Sequence, residues 1–185
     1  MSRLLKMCAV LALGTLVVPL QTRAADNPFK SAKVGQWIEY VTTIETKGNK
    51  REQKTKQVVV AKDDASVTLR TTATAMGKEM PPQETKIMLD QPYQPFAQRD
   101  SDAKVTILGE GDETITVDGK SYKCHWAKAR VVVTKPVAME STSKVWTSKE
   151  VPLSGMVKME GDSVMTMQGT TMSTKMTMKL SGSGK

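Results

Sequence analysis

TITVDGKSYKCHWAKARVVV, residues 114–133, is the stretch that decides the fold of this chain. Asp118-Gly119 within it is a dipeptide that favours a two-residue hairpin turn. Apolar and polar side chains alternate on both sides of this dipeptide, which is the period of two expected of half-buried strands. The stretch therefore predicts two antiparallel strands, over residues 114–117 and 120–133, joined by a tight turn.

The same alternation extends outward from this hairpin, with Val, Thr, Ile and Met as the recurring residues. Clusters of Gly, Asn and Asp separate the alternating runs and predict turns, including one at Gly109–Asp112. We expect a break at Pro81-Pro82, a long loop over residues 90–102 and a frayed tail over residues 181–185. The predicted strands are 35–46, 51–61, 66–75, 78–89, 103–108, 114–117, 120–133, 142–148, 155–160, 163–167 and 170–180.

The short connections between these strands define the fold class. Parallel pairing would need long crossovers, so the strands are expected to be antiparallel. A sheet of about ten or eleven strands must curl, close or fold on itself. We predict an all-β domain, with at most one short helix near residues 26–34, built as a strongly curved antiparallel sheet or partly open barrel. A two-sheet sandwich is the alternative.

The N-terminus has the pattern of a cleaved secretory signal peptide. Arg3 and Lys6 precede an uncharged apolar run over residues 7–20, and Thr22-Arg23-Ala24 has small residues where a signal peptidase reads the chain. The apolar run is shorter than the about 20 residues that a membrane-spanning helix needs. We therefore expect cleavage after Ala24 and export to the periplasm or beyond. Residues 25–185 would then form one domain without a transmembrane segment.

The charge of the expected mature chain is modestly basic. Loss of residues 1–24 removes three bases and no acid, which lowers the formal net charge from +8 to +5. The lysines are scattered, so the charge favours solubility, or contact with anionic lipid head groups or glycans, over nucleic acid. Cys124 would be the only remaining cysteine, which excludes an internal disulfide. The pattern indicates no cofactor and no nucleic-acid partner.

Cys124-His125 is the one dipeptide that suggests catalysis. Successive strand residues point to opposite faces, so the thiol and the only imidazole of the chain would not meet. Cys124 would share a face with Tyr122 and Trp126 and is interpreted as a buried structural residue. Because no nucleophile motif surrounds His125, we expect a non-catalytic protein.

Methionines are concentrated in the C-terminal strands, and three interpretations remain open. The first is core packing. The second is a Cu(I) site, because soft thioethers select Cu(I), with His125 and Trp126 as additional ligands. The third is a flexible apolar surface that accepts an acyl chain. Seven of the 13 methionines lie there: Met156, Met159, Met165, Met167, Met172, Met176 and Met178. The acidic run 109–113 lacks the spacing of a calcium loop, and no other metal site is predicted.

The leading functional hypothesis is an envelope protein that binds an apolar or amphiphilic ligand, such as a lipid or a lipoprotein, in the curved sheet. The alternatives are a periplasmic Cu(I)-binding protein and a structural or protein-interaction module. The sequence also predicts a constrained corner at Val151-Pro152-Leu153, followed by a tight backbone path at Gly155. The candidate ligand-binding residues are Tyr93, Phe96, Trp126, Trp146, Met165, Met167, Met176 and Met178.

The segment from Gly109 to Glu160 contains GEG (109–111), TITVDGK (114–120) with Tyr122 and Cys124, and KVWTSKEVPLSGMVK (144–158). In these motifs it resembles a group of uncharacterised exported bacterial proteins, especially those of planctomycetes. The resemblance implies an exported β-rich protein and no known activity. More loosely, a signal peptide followed by a curved antiparallel sheet is similar to the lipoprotein-carrier (Lol-type) half-barrels of the bacterial envelope. That likeness implies a lipid or lipoprotein partner and no particular site residue.

Overall fold

The structure is a computed structural model that describes residues 27–91, 93, 103–134, 138–167 and 170–185. The described chain is almost entirely β-structure, with one short 3-10 helix at Pro28–Ser31, which confirms the predicted fold class. Among these residues, no helix is long and apolar enough to cross a membrane. The strands are β1 Trp37–Thr46, β2 Asn49–Lys62, β3 Ser66–Ala75, β4 Lys78–Met88, β5 Lys104–Val117, β6 Lys120–Val133, β7 Ala138–Thr147, β8 Met156–Met167 and β9 Thr170–Gly184.

The described strands form one antiparallel sheet in the order β4-β3-β2-β1-β9-β8-β7-β6-β5. Two meanders make up this sheet, β1 to β4 and β5 to β9. They are joined where β1 pairs with β9, so that Ile44 lies opposite Met176 and Tyr40 lies opposite Leu180. Strands β4 and β5 form the two edges and do not pair with each other, so the sheet is open rather than a closed barrel.

Nine strands replace the ten or eleven predicted, because two predicted interruptions are parts of continuous strands. Residues Gly109–Asp112 belong to β5, and the predicted turn there is wrong. The Trp126 ring lies over this part of β5, and a Cβ on Gly111 would stand 3.1 Å from three ring atoms. Gly161 lies within β8 in the same way, where a Cβ would stand 2.8 Å from Ser143 Oγ. These glycines therefore permit close approach within the sheet rather than a turn.

Two further predictions about strand ends are corrected. Pro81-Pro82 does not end β4, since the pairing shifts between Thr71 and Ala73 and leaves the prolines in an irregularity of an edge strand, where proline is tolerated. The tail over residues 181–185, expected to be frayed, pairs with β1 as far as Gly184. The Trp37 ring lies against this segment, since a Cβ on Gly182 would be 3.0 Å from it.

The two faces of the sheet are defined by side-chain alternation. We call the face that carries Ile38, Tyr40 and Leu180 the inner face, and the opposite one, with Trp126 and Trp146, the outer face. The 3-10 helix covers part of the core with Phe29, and Ile38, Val59, Val67 and Val157 are fully buried. The remaining members of the core cluster are Ala32, Tyr40, Leu69, Leu89, Val117, Tyr122, Cys124, Trp146, Val151, Leu153 and Leu180.

Candidate functional site

A cleft of about 2160 Å³ lies beside the β7–β8 loop, residues 148–155. It is lined by β5 and β6 on one side and by the last residues of the chain, 183–185, on another. Strands β8, β7 and β6 separate β9 from β5 in the sheet, so both can line one cleft only because the sheet bends. This confirms the predicted curvature and places an open hollow within it.

Apolar side chains at the edge strand contribute to the cleft and remain accessible. Ile107 is 48% exposed and Leu108 is 51% exposed, although both are large and apolar. The register of β5 against β6 shifts between Ile107 and Gly109, so Leu108 is an extra residue in the ladder. A bulge of this kind re-aims side chains at a sheet edge. Deeper apolar lining comes from Tyr93, Ala127, Val145, Val151 and Leu153.

Charged side chains surround this apolar lining. Asp112 Oδ1 lies 3.0 Å from His125 Nδ1, and Glu110 Oε2 lies 4.0 Å from His125 Nε2. Lys123 lies on the same face of β6 as His125 and also lines the cleft. Two further lysines line it, Lys149 from the β7–β8 loop and Lys185 from the end of the chain. The cleft therefore combines an apolar interior with charges of both signs.

Cys124 is separated from His125 as the alternation predicts. Its side chain is buried at 3% exposure and points to the outer face, whereas His125 is exposed on the inner face. Burial raises the pKa of the Cys124 thiol, and the nearby Glu150 and Glu113 carboxylates raise it further. The thiol is therefore protonated at neutral pH and is a weak nucleophile.

The β7–β8 loop has the corner that the sequence predicted, and it is held in a strained backbone conformation. Leu153 has a φ of +60°, which is uncommon for a bulky residue, and Gly155 has a φ of +69°. Ser148 N–H donates to the Gly155 carbonyl oxygen at 2.8 Å, which closes the loop. Tyr40 Oη donates to the Met156 carbonyl at 3.1 Å, and burial raises the pKa of this phenol far above its ordinary range. Strain held in this way is concentrated at functional sites.

Two of the predicted ligand-binding aromatic residues lie on the outer face, away from the cleft. Lys144 Nζ stands 4.1 Å from the Trp126 ring centroid and 4.5 Å from that of Trp146. Glu113 Oε1 accepts hydrogen bonds from Lys144 Nζ at 2.7 Å and Trp146 Nε1 at 2.5 Å. The bond from Lys144, followed by that from Trp146, lowers the pKa of Glu113. This cluster ties β5, β6 and β7 together and is structural.

The predicted methionine ligands do not converge. Met165, Met176 and Met178 share the inner face, but Met176 lies opposite Gly161, four residues along β8 from Met165. At about 3.3 Å per residue, this separates Met165 from Met176 by about 13 Å along the strand direction. None of the three lines the cleft.

His125 cannot complete a site at Met165, contrary to the copper hypothesis as framed from the sequence. Met165 lies opposite Met139, and Met139 lies opposite Val133, eight residues from His125 along β6. That spacing corresponds to about 26 Å. Trp126 is excluded for another reason, since its side chain is on the outer face.

The remaining candidates have mixed outcomes. Tyr93 lines the cleft and packs edge-on against Phe29, with ring centroids 5.5 Å apart. Phe96 and the Met167 side chain lie outside the described residues. The sequence analysis missed Ile107, Leu108 and Val145. The adjacent apolar pair Ile107-Leu108 was the available signal, because two neighbouring apolar residues break strict alternation.

Comparisons with known proteins identify the fold and no family. No protein-family model and no curated protein matches the chain. A solved structure from Bacteroides fragilis, described as an exported protein with a YmcC-like fold, is 12% identical with a TM-score of 0.51, over 83% of this chain and 97% of that one. A protein from Parabacteroides distasonis, described as a lipoprotein, is 14% identical with a TM-score of 0.48, over 82% and 96%. At these identities, the likeness to the Bacteroides protein shows a shared fold alone.

Proposed function

We propose that this is an exported, non-catalytic envelope protein that holds an apolar or amphiphilic ligand, such as a lipid or the acyl chain of a lipoprotein, in the cleft. The observation that carries the proposal is the cleft of about 2160 Å³ with Ile107 and Leu108 half exposed along its edge. Exposed large apolar side chains that line a concavity are typical of interaction sites.

The size of the cleft favours a long ligand. Pockets for compact small molecules occupy about 300–1,000 Å³, so this open cleft has room for an extended chain. Full burial of one Ile or Leu side chain contributes about 1.5–3 kcal/mol, and roughly half of that surface remains to be buried at Ile107 and Leu108. The two residues together therefore supply a favourable contribution of about 1.5–3 kcal/mol on binding.

The charged rim supports an amphiphilic rather than a purely apolar ligand. Lys123, Lys149 and Lys185 line the cleft and would contact an anionic head group while the chain lies on the apolar lining. Asp112 and Glu110 flank His125 at one side of the same rim, so a zwitterionic head group is also compatible with the charge distribution.

Export and the absence of catalysis are parts of the same proposal. The signal-peptide pattern over residues 1–24 supports export, and the Bacteroides protein that shares the fold is itself described as exported. The opposite orientations of Cys124 and His125 support a binding role over a nucleophilic one.

The test is titration of the mature protein with cis-parinaric acid, a fluorescent fatty acid, using two matched variants. Ile107→Asp places a charge in the cleft lining. Val164→Asp places the same charge at a 44%-exposed valine on the outer face. We expect Ile107→Asp to weaken binding by about tenfold or more, which corresponds to about 1.4 kcal/mol, and Val164→Asp to leave it unchanged. Absence of binding by the wild type, or equal losses in the two variants with circular dichroism unchanged, would refute the proposal.

A further inference from the structure

Three methionines form one cross-strand row on the inner face. Met139 of β7 lies directly opposite Met165 of β8, and Met165 lies directly opposite Met172 of β9. Side chains that are directly opposite on antiparallel strands have Cβ atoms about 4.5–5.5 Å apart. Met139 and Met172 therefore stand on either side of Met165, and the flexible side chains of all three can bring their sulfurs together.

The exposure of this row argues against simple packing. Met165 is 36% exposed and Met172 is 39% exposed, and Met139 is half-buried. A second directly opposed pair, Met159 and Met178, lies closer to the core and is half-buried throughout, with Met178 packed against the core cluster. Packing therefore accounts for the second pair, whereas the first row presents thioethers to solvent.

The surroundings of the row select the kind of ligand. In the described strands, the row ends at Val133 of β6, and the next row carries the hydroxyls of Ser141, Ser163 and Thr174. Neither row contains a carboxylate, an imidazole or a thiol among its described members. Hard cations prefer carboxylate and carbonyl oxygens, whereas thioethers select Cu(I). Because a thioether has no proton to lose at ordinary pH, such a site would also bind without proton release.

We propose that Met139, Met165 and Met172 form a three-thioether site for Cu(I) or a similarly soft monovalent cation, in addition to the cleft. Met165 and Met172 belong to the seven C-terminal methionines that the sequence suggested, whereas Met139 lies outside that group. None of them lines the cleft, so the proposal is independent of the apolar ligand.

The test measures Cu(I) affinity of the mature protein by competition with bicinchoninate under reducing, oxygen-free conditions. We expect one high-affinity Cu(I) per chain and sulfur-only coordination by X-ray absorption. Met165→Leu should lower the affinity by about 100-fold or more, since even the outer-shell partners of metal ligands are typically worth 10–100-fold. Leucine keeps the volume and apolar character of the side chain, so the fold should be preserved.

The matched control is the double variant Met159→Leu/Met178→Leu, which removes the other opposed pair from the same two strands. We expect its Cu(I) affinity to equal that of the wild type. Loss of affinity in this control with retention in Met165→Leu, or no competition with bicinchoninate by the wild type, would overturn the proposal. Binding of cis-parinaric acid should be unchanged in Met165→Leu, so failure of the metal site and failure of the cleft proposal are distinguishable.

Discussion

Replacement of Gly155 by alanine tests whether the β7–β8 loop depends on a close backbone approach. Gly155 has a φ of +69°, and a Cβ there would stand 3.1 Å from the Ser148 carbonyl oxygen. The left-handed backbone alone costs an alanine about 1–2 kcal/mol. The contact adds about 1–3 kcal/mol, because a backbone atom must move and the Ser148–Gly155 hydrogen bond resists that movement. We expect a loss of about 2–5 kcal/mol in the free energy of unfolding.

Gly77→Ala is the matched control for this prediction. Gly77 has a φ of +74°, but a Cβ there would meet nothing within 4 Å, so only the backbone cost of about 1–2 kcal/mol applies. Urea unfolding followed by tryptophan fluorescence gives both values, provided that the slope of free energy against urea is the same for each variant. Equal losses in the two variants would show that the approach of Gly155 to Ser148 does not constrain the loop, and the reasoning would be wrong.

Two other predictions concern the outer-face cluster. Hydrogen bonds from Lys144, and then from Trp146, lower the pKa of Glu113 below its ordinary value of 4.5, so the stability it contributes is present above pH 4.5 and is lost as pH falls below it. Thermal unfolding should therefore show a smaller loss of stability on acidification for Glu113→Gln than for the wild type, and a pH-independent difference would contradict this. Gly111→Ala should destabilise by about 1–3 kcal/mol in urea unfolding, because its Cβ would stand 3.1 Å from the Trp126 ring, whereas Gly109→Ala, at 3.6 Å, should be neutral. Equal effects of the two alanines would argue against the packing of Trp126 across β5.

The parts of the fold that depend on local chemistry were predictable from the sequence. Asp118 and Gly119 have φ values of +48° and +79°, as the Asp-Gly turn requires, and β6 begins and ends at the predicted residues. The bounds of β3 also agree with the prediction, because Lys62-Asp63-Asp64 and Met76-Gly77 mark turns on either side of it. In these segments, the residues that determine a turn lie within a few residues of the strand ends that they set.

Glycine was the source of the wrong strand count. Segments rich in glycine are typical of turns, and this applies to the sequence around Gly109, Gly111 and Gly161. The residues next to these glycines along the chain do not show whether the backbone turns there or a side chain of a neighbouring strand packs closely against it. The distinction comes from Trp126 and Ser143, which reach these glycines from adjacent strands. The residues of the cleft could not be predicted for the same reason. Ile107 and the end of the chain are distant in sequence, and they line one cleft only because the sheet bends.

The alternation of side chains along each strand is a local property, so the sequence alone determined which residues share a face. It placed the side chains of Cys124 and His125 on opposite faces of one strand, and those of Met172, Met176 and Met178 on the same face of another. The order and register of the strands are not local, because the β1–β9 pairing joins residues such as Trp37 and Gly184 from the two ends of the described chain. Tertiary structure therefore decided which methionines stand in one row and which apolar residues meet at the cleft, since both depend on neighbours supplied by distant strands.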